Sequence, residues 1–299
     1  MKLFLGIDIG ASGFKYGIGD TKNGLQCFDT IRLSEKSLQS FRSTFAQIFN
    51  RVKKWNVCGI GIGSPGTLSF PDGKIVGLNP NLRFWTNLNP AEIIPEDINL
   101  PVFVDNDANL MTLAESGLQD CELCVGITIG SGIGGGIVYQ GSVFHGAHGF
   151  AAEIGHTIVY PEGELCACGK KGCVEAYSSV DGIRRRLQAL NSPYAGMALP
   201  NLISLRNRIS VVNKVIALGE EAMIRAMANL CTILDPDILI FGGGAMDLSL
   251  YNIPTLEQGI KELLPEANAK HLKCVLARYG NRAGVMGGIQ MCERMMTKE

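Results

Sequence analysis

Two stretches of this chain share one unusual form. Leu3-Phe-Leu-Gly-Ile-Asp-Ile-Gly opens the sequence, and Leu123-Cys-Val-Gly-Ile-Thr-Ile-Gly repeats its pattern. Each is a nearly continuous apolar run, as expected of a strand covered on both faces of a sheet. Each ends in a glycine turn and is followed by a second apolar strand, Phe14–Gly19 in the first case and Ile133–Tyr139 in the second. A duplicated pair of domains would give strand, glycine hairpin, strand twice over, although any two hairpins share this form. The length of 299 residues also favours two domains over one.

The intervening segments alternate between helical and strand patterns. A third strand is expected over Leu25–Leu33. Residues 37–54 have helical spacing through Leu38, Phe41, Phe45, Ile48, Phe49 and Val52. Val57-Cys-Gly-Ile-Gly-Ile-Gly reads as a strand entering the loop Ser64-Pro-Gly. Val102-Phe-Val-Asp-Asn-Asp is a strand with a polar tip, and Asn109–Leu118 is the helix after it, with Asp107 near its N-cap. Val211–Leu234 is a long helix stopped by Asp235-Pro-Asp, Ile238–Gly244 is another strand-to-loop transition, and Ala283–Met296 is a closing helix. The stretch 191–209, with two prolines and no clear period, is expected to be a loop or insertion. Alternating strands and helices define α/β layers. Their polar motifs fall at strand ends, where open α/β sheets bind ligands. The domain boundary is expected near residues 117–121.

Composition excludes several classes. A net charge of −1, with no block of like charge, offers nothing to draw in nucleic acid. No apolar run reaches about 18 residues, so no membrane-spanning helix is expected. The start turns polar too soon for a signal peptide. Ten cysteines without such a signal point to a reducing compartment, the cytoplasm, and to free thiols. Cys121 and Cys124 have redox-like spacing, but Cys124 belongs to the apolar run Leu123–Ile129, and both are read as core or edge cysteines.

Several motifs can carry chemistry. In Asp8-Ile-Gly-Ala-Ser-Gly-Phe-Lys15, Gly10 and Gly13 would bring backbone N–H groups close to a phosphate, with Ser12 and Lys15 adding a donor and a charge. Asp8 could hold magnesium through water. The alternative is a plain hairpin. Gly130, Ser131 and Gly132 form a second turn whose N–H groups could meet phosphate, and Gly242-Gly-Gly244, with Gly242 and Gly243 leading, a third; either could be only a turn. Asp105-Asn106-Asp107 places two acids and an amide at a strand tip, costly to bury and natural in a site. One carboxylate there could accept a hydroxyl proton, and Asn106 could read a neighbouring hydroxyl. Helix capping by Asp107 is the alternative.

The sharpest signal is His156 with Cys166, Cys168 and Cys173, all within eighteen residues. Three thiolates and an imidazole complete a tetrahedral zinc set, closed and therefore structural. Glu153 precedes it and Glu175 follows it. Zinc on one ring nitrogen of His156 leaves the other as an N–H donor beside Glu153. His145 and His148, rival ligands by residue type, are read as loop residues.

Taken in order, these motifs resemble the ROK family of sugar kinases and sugar-responsive repressors over nearly the whole chain. The resemblance rests on Asp8-Ile-Gly, Gly63-Ser-Pro-Gly66, Asn106-Asp-Ala-Asn109, Ser131-Gly-Ile-Gly, Glu153-Ile-Gly-His156, the Cys166 to Cys173 cluster, Glu175 and Gly242-Gly-Gly244. It implies an actin-like, hexokinase-type fold, a duplicated ribonuclease-H-like α/β fold with two domains around a cleft. The first would span 1–118, joined by the closing segment 284–299, and the second 119–283. The resemblance makes Asp107 the base for a sugar hydroxyl. Asn106, Glu153, His156, Glu175 and Gly66 become sugar-binding positions. Asp8, Gly10, Ser12, Gly13, Lys15, Gly130, Ser131, Gly132, Gly242 and Gly243 fall on the nucleotide and phosphate side. His156, Cys166, Cys168 and Cys173 match the family's zinc ligands.

The implied activity is phosphorylation of a hexose or amino-hexose such as glucose, at C6, by ATP with Mg2+, in a homodimer. The first glycine turn has one residue more before its Lys than the family's usual Gly-Gly-Thr-Lys, a length similar to polyphosphate-using glucokinases. Polyphosphate therefore stands as an alternative donor, which would need a basic groove; Arg184-Arg-Arg186 is the one compact basic run and is read as a solvated helix face. A non-catalytic sugar sensor is the other alternative. The start of the chain at the first kinase strand leaves no expected helix-turn-helix, and DNA binding is not expected.

Overall fold

The structure is a computed structural model that describes residues 2–10, 12–77 and 82–297. Ala11 of the first glycine turn and residues 298 and 299 of the expected closing segment lie outside the described residues. Contacts divide the chain into two compact units. One comprises residues 1–119, 141–151 and 281–299, and the other 120–140 and 152–280. Elements are numbered along the chain.

The first unit carries β1 (Leu3–Gly10), β2 (Gly13–Asp20), β3 (Gly24–Arg32), α1 (Leu38–Val52), β4 (Val57–Ser64), β5 (Val102–Asn106), α2 (Asp107–Ser116), the two-residue β8 (Ser142–Val143) and α10 (Ala283–Thr297). Its sheet runs β3-β2-β1-β4-β5, antiparallel through the first three strands and parallel from β1 to β4 and from β4 to β5. The apolar stripe of α1 explains its docking. Phe41 and Phe45 are fully buried, and each meets Phe14 of β2 edge-on, with ring centroids 4.9 and 5.1 Å apart. Burial of each such ring stabilises the unit by roughly 2–3 kcal/mol. Trp85 lies 4.7 Å from Phe41, and its indole N–H donates to Ser64 Oγ at 2.8 Å, which fixes the end of β4.

Glycines let α10 lie directly on this sheet. A Cβ on Gly61 of β4 would sit 1.9 Å from the Gly288 carbonyl oxygen, and one on Gly6 of β1 would sit 2.2 Å from that of Val285. At these two glycines backbone therefore meets backbone, and a side chain would not fit.

The second unit carries β6 (Leu123–Ile129), β7 (Ile133–Tyr139), α3 (Glu175–Ser178), α4 (Val180–Ala189), α5 (Leu199–Leu205), α6 (Ser210–Leu234), β9 (Ile238–Gly242), α7 (Gly244–Asp247), α8 (Ile253–Leu263), α9 (Glu266–His271) and β10 (Lys273–Leu276). Its strands run β10-β9-β6-β7, with β6 and β7 antiparallel and the other pairs parallel. Each unit thus builds two parallel strands onto an antiparallel hairpin, and the two hairpins are the repeated form read in the sequence. The long helix α6 ends where Asp235 turns left-handed at φ 51°.

Three sequence expectations change. The stretch 191–209 is not wholly loop, because α5 forms over Leu199–Leu205 with Pro200 in its first turn, where a missing N–H costs nothing. Leu202 of that helix is fully buried. Cys121 and Cys124 are joined as a disulfide rather than free. Arg186 is not on a solvated face: it is buried, donates to the Val215 carbonyl at 3.1 Å, and lies 5.1 Å from the Tyr177 ring centre.

Candidate active site

The tip of β5 is built by one amide. Asn106 caps α2, its Oδ1 accepting from the N–H groups of Ala108 at 2.8 Å and Asn109 at 3.2 Å. Its Nδ2 donates to the Gly66 carbonyl at 3.0 Å, tying the Ser64-Pro-Gly turn to the helix start. Gly66 holds φ at 108°, which favours glycine. One hydrogen of the Asn106 amide is left for another acceptor. The cap is thus Asn106, and Asp107 is the first residue of α2, with Oδ1 accepting from Ala108 N–H at 2.9 Å. Burial, and then the negative charge of Asp8, push the Asp107 carboxyl up to about 7. A carboxyl that titrates near neutrality is matched to proton acceptance.

Asp105 does something the sequence did not reveal. Alternation along β5 turns it away from Asn106, into a buried position. Its Oδ1 accepts from Asn106 N–H at 2.7 Å and Asn109 Nδ2 at 2.9 Å, while Oδ2 lies 2.7 Å from His145 Nε2. His145 is therefore a partner of Asp105, stacked on Phe70 with ring centres 3.9 Å apart. The only signal in the sequence was a histidine and a strand-tip acid, forty residues apart.

At the first glycine turn, Gly10 pairs with Gly13 across the hairpin, and Ser12 is exposed with its carbonyl accepting from Leu33 N–H at 3.1 Å. Lys15 Nζ donates to Asp8 Oδ2 at 3.0 Å. The start of α10 packs on the same carboxylate, since a Cβ on Gly284 would sit 2.7 Å from Asp8 Cγ.

In the second unit, the turn after β6 is not a row of open donors. Gly130 N–H is taken by the Gly132 carbonyl at 2.9 Å. The Gly130 and Ser131 carbonyls accept from Val180 and Asp181 N–H at the start of α4, at 2.9 and 3.3 Å. Glu175, first residue of α3, reaches back to this turn, and its Oε2 accepts from Ile133 N–H at 2.9 Å. Gly132 leaves room for that carboxylate, as a Cβ there would sit 2.6 Å from Oε2. Below, α3 is anchored on α6: Ser178 Oγ donates to the Gly219 carbonyl at 2.6 Å. Gly242 ends β9, Gly243 turns at φ 91° against the β6 backbone, and Gly244 opens α7.

His156, Cys166, Cys168 and Cys173 come together, with one ligand atom from each lying within 4.8 Å of all the others. His156 Nδ1 is 3.8 Å from Cys166 Sγ, and Cys168 Sγ is 3.6 Å from Cys173 Sγ. With zinc–sulfur bonds of about 2.3 Å, tetrahedral ligands stand roughly 3.5–3.8 Å apart, so the set fits zinc. Left-handed turns at Gly169 and Gly172 fold the loop, and a Cβ on Gly172 would strike the Tyr160 carbonyl. Glu175 Oε1 also accepts from the Cys166 thiol at 3.5 Å, a bond that a metal-bound thiolate would no longer donate. Glu153 is the exposed residue leading into the short turn Ile154–His156. Neither His145 nor His148 belongs to the cluster.

Comparison with known proteins agrees with this architecture. The ROK family profile matches residues 4–295, so the chain belongs to the ROK family. The fold is the actin-like α/β fold of that family's sugar kinases. Among its relatives, a glucokinase of Thermotoga maritima is 30% identical over 301 residues, covering 95% of each chain. A glucokinase of Halalkalibacterium halodurans is 33% identical over 252 residues, covering 79% of this chain and 76% of that protein. The crystal structure of a ROK hexokinase from Thermus thermophilus superposes with a TM-score of 0.83 at 25% identity, covering 99% of this chain and 100% of the other. No helix among the described residues is long and apolar enough to cross a membrane.

Proposed function

We propose that this sugar kinase of the ROK family transfers the γ-phosphoryl group of ATP to the C6 hydroxyl of a hexose or amino-hexose such as glucose, with Asp107 as the general base. The observation that carries the reading is the Asp107 carboxyl, held at the start of α2 and titrating near neutrality. At neutral pH a sizeable fraction is ionised and able to accept the hydroxyl proton as the phosphoryl group moves.

The remaining residues have supporting parts. The free N–H of Asn106 and the carboxylates of Glu153 and Glu175 read sugar hydroxyls, and Gly66 shapes the turn beside Asn106. His156, Cys166, Cys168 and Cys173 would hold zinc, which supplies rigidity to the segment between Glu153 and Glu175. His156 would then bind through Nδ1, leaving Nε2–H for a sugar oxygen. Asp8, Gly10, Ser12, Gly13, Lys15, Gly130, Ser131, Gly132, Gly242 and Gly243 form the phosphate and nucleotide side, where Asp8 would orient hydrated Mg2+ and Lys15 would exchange it for phosphate oxygens. Water must be kept from the bound sugar, so that the hydroxyl and not solvent attacks.

ATP is favoured over polyphosphate because the one compact basic run is broken up. Arg186 is buried on Tyr177, and Arg184 sits 3.7 Å from Asp181, leaving only Arg185 exposed. The test is a panel of hexoses and amino-hexoses crossed with ATP and polyphosphate in a coupled assay. Turnover with ATP on at least one sugar is expected. Sugar-induced thermal stabilisation with no turnover from either donor would replace this reading with a sugar sensor.

A further inference from the structure

β5 is an edge strand of the first unit's sheet, and a cavity of about 290 Å3 lies along its outer side. That volume is at the small end of ligand pockets, roughly 300–1,000 Å3. Phe70, Val104, Val143, His145, Met291 and Arg294 line it. None of these residues has a part in the sugar or phosphate chemistry above.

Two features give the cavity a chemical preference. Arg294 is half-buried, and among the described residues no carboxylate lies within ion-pair distance of it. Its Nη2 donates to the Gln290 amide oxygen at 3.0 Å, in the orientation in which the Gln290 nitrogen donates to the Leu113 carbonyl, also at 3.0 Å. Burial alone lowers its pKa, with no charged neighbour contributing. A guanidinium partly removed from water and paired only with a neutral amide has room for an anion, which would compensate its charge. The other feature is the flat stack of Phe70 on His145, tilted by only 13°. Phe70 is half-exposed, and Met291 and Met295 add polarisable thioethers to the lining, which suit contact with an aromatic ring. Of the acids on the lining, Asp72 is exposed, and Asp105 is already engaged by His145, Asn109 and the Asn106 N–H.

We propose that this cavity binds a compact aromatic carboxylate, its ring against the Phe70–His145 stack and its carboxylate on Arg294, and that occupancy is felt at the tip of β5. The connection is Asp105. One carboxylate oxygen meets His145 on the cavity side, and the other holds the backbone N–H of Asn106, which caps the helix that begins with Asp107. A ligand that moves His145 therefore bears on the residues next to Asp105. By linkage, sugar would change the affinity of the carboxylate by the same factor.

Calorimetric titration of the full chain with 2-naphthoate tests the site without requiring turnover. The expected result is saturable one-to-one binding, at least tenfold weaker for Arg294→Met, kept within threefold by Arg294→Lys, and lost when Val143→Trp fills the cavity. The neutral 2-naphthol should bind wild type at least tenfold more weakly than the carboxylate. No saturable binding at millimolar 2-naphthoate, equal affinity for 2-naphthol, or binding undisturbed in both Arg294→Met and Val143→Trp would overturn the site. Saturating 2-naphthoate should shift the glucose dissociation constant at least threefold; an unchanged constant, with binding intact, would overturn the coupling through Asp105.

Discussion

Replacing Asp107 by Asn should move activity and stability in opposite directions. The native carboxyl is raised from 3.8 to about 7, chiefly by burial. Its protonated form is thus favoured in the folded state. The stability tied to that proton is complete below about pH 4 and is lost as pH rises to about 7. A shift of roughly 3 units corresponds to about 4 kcal/mol at 1.36 kcal/mol per unit. Asp107 keeps some contact with water, so about 2 kcal/mol is a fairer figure. Asn is neutral at every pH, and its oxygen can still accept from Ala108 N–H, as Asp107 does now at 2.9 Å. The variant should therefore exceed wild type in stability by about 2 kcal/mol at pH 8, and by far less near pH 4.5. Turnover should fall by about 10²–10⁴-fold with the loss of the proton acceptor. In wild type, kcat/KM should decline tenfold per pH unit below about 7, a limb absent from the residual activity of the variant. Urea unfolding at both pH values and a coupled assay from pH 5.5 to 9 read these quantities. A variant no more stable than wild type at pH 8, or one with turnover within tenfold, would refute the reasoning.

Reduced protein should carry one zinc per chain, lost in Cys168→Ser. Chelation should lower the melting temperature and raise the sugar KM before it touches kcat; zinc-free protein with an unchanged KM would remove the metal from the sugar site. Gly61→Ala places a Cβ 1.9 Å from the Gly288 carbonyl oxygen and should cost about 3 kcal/mol of stability, because backbone must move on both sides. A loss below about 1 kcal/mol in urea titration would mean that α10 is not seated on the sheet as described. Glu175→Ala leaves Ile133 N–H without its acceptor at 2.9 Å and should destabilise by about 1–3 kcal/mol, whereas Glu175→Gln retains an acceptor oxygen. Equal melting of the Ala and Gln variants would show that this bond does not hold the turn.

Much of the architecture was legible because it is local. The strands announce themselves by apolar runs, α1 by the 3.6-residue spacing of Phe41, Phe45 and Phe49, and the end of α6 by Asp235-Pro-Asp. His156 and the three cysteines lie close enough in sequence for their convergence to be read from spacing and glycine placement. Arg186 shows the limit of such reading. Three consecutive arginines look like a solvated face until Tyr177 and the Val215 carbonyl, from other helices, cover one of them.

By itself, then, the sequence determined the α/β layering, the repeated hairpin form and the set of residues able to carry chemistry, since each depends on neighbours a few residues away. Tertiary structure alone decided which groups are already spoken for. It gave Glu175 to Ile133 and His145 to Asp105, partners about forty residues away. It also raised Asp107 toward neutrality and left Arg294 beside a cavity without a counter-charge. Burial and charge pairing depend on which distant segment covers a group, and no local pattern of residues encodes that.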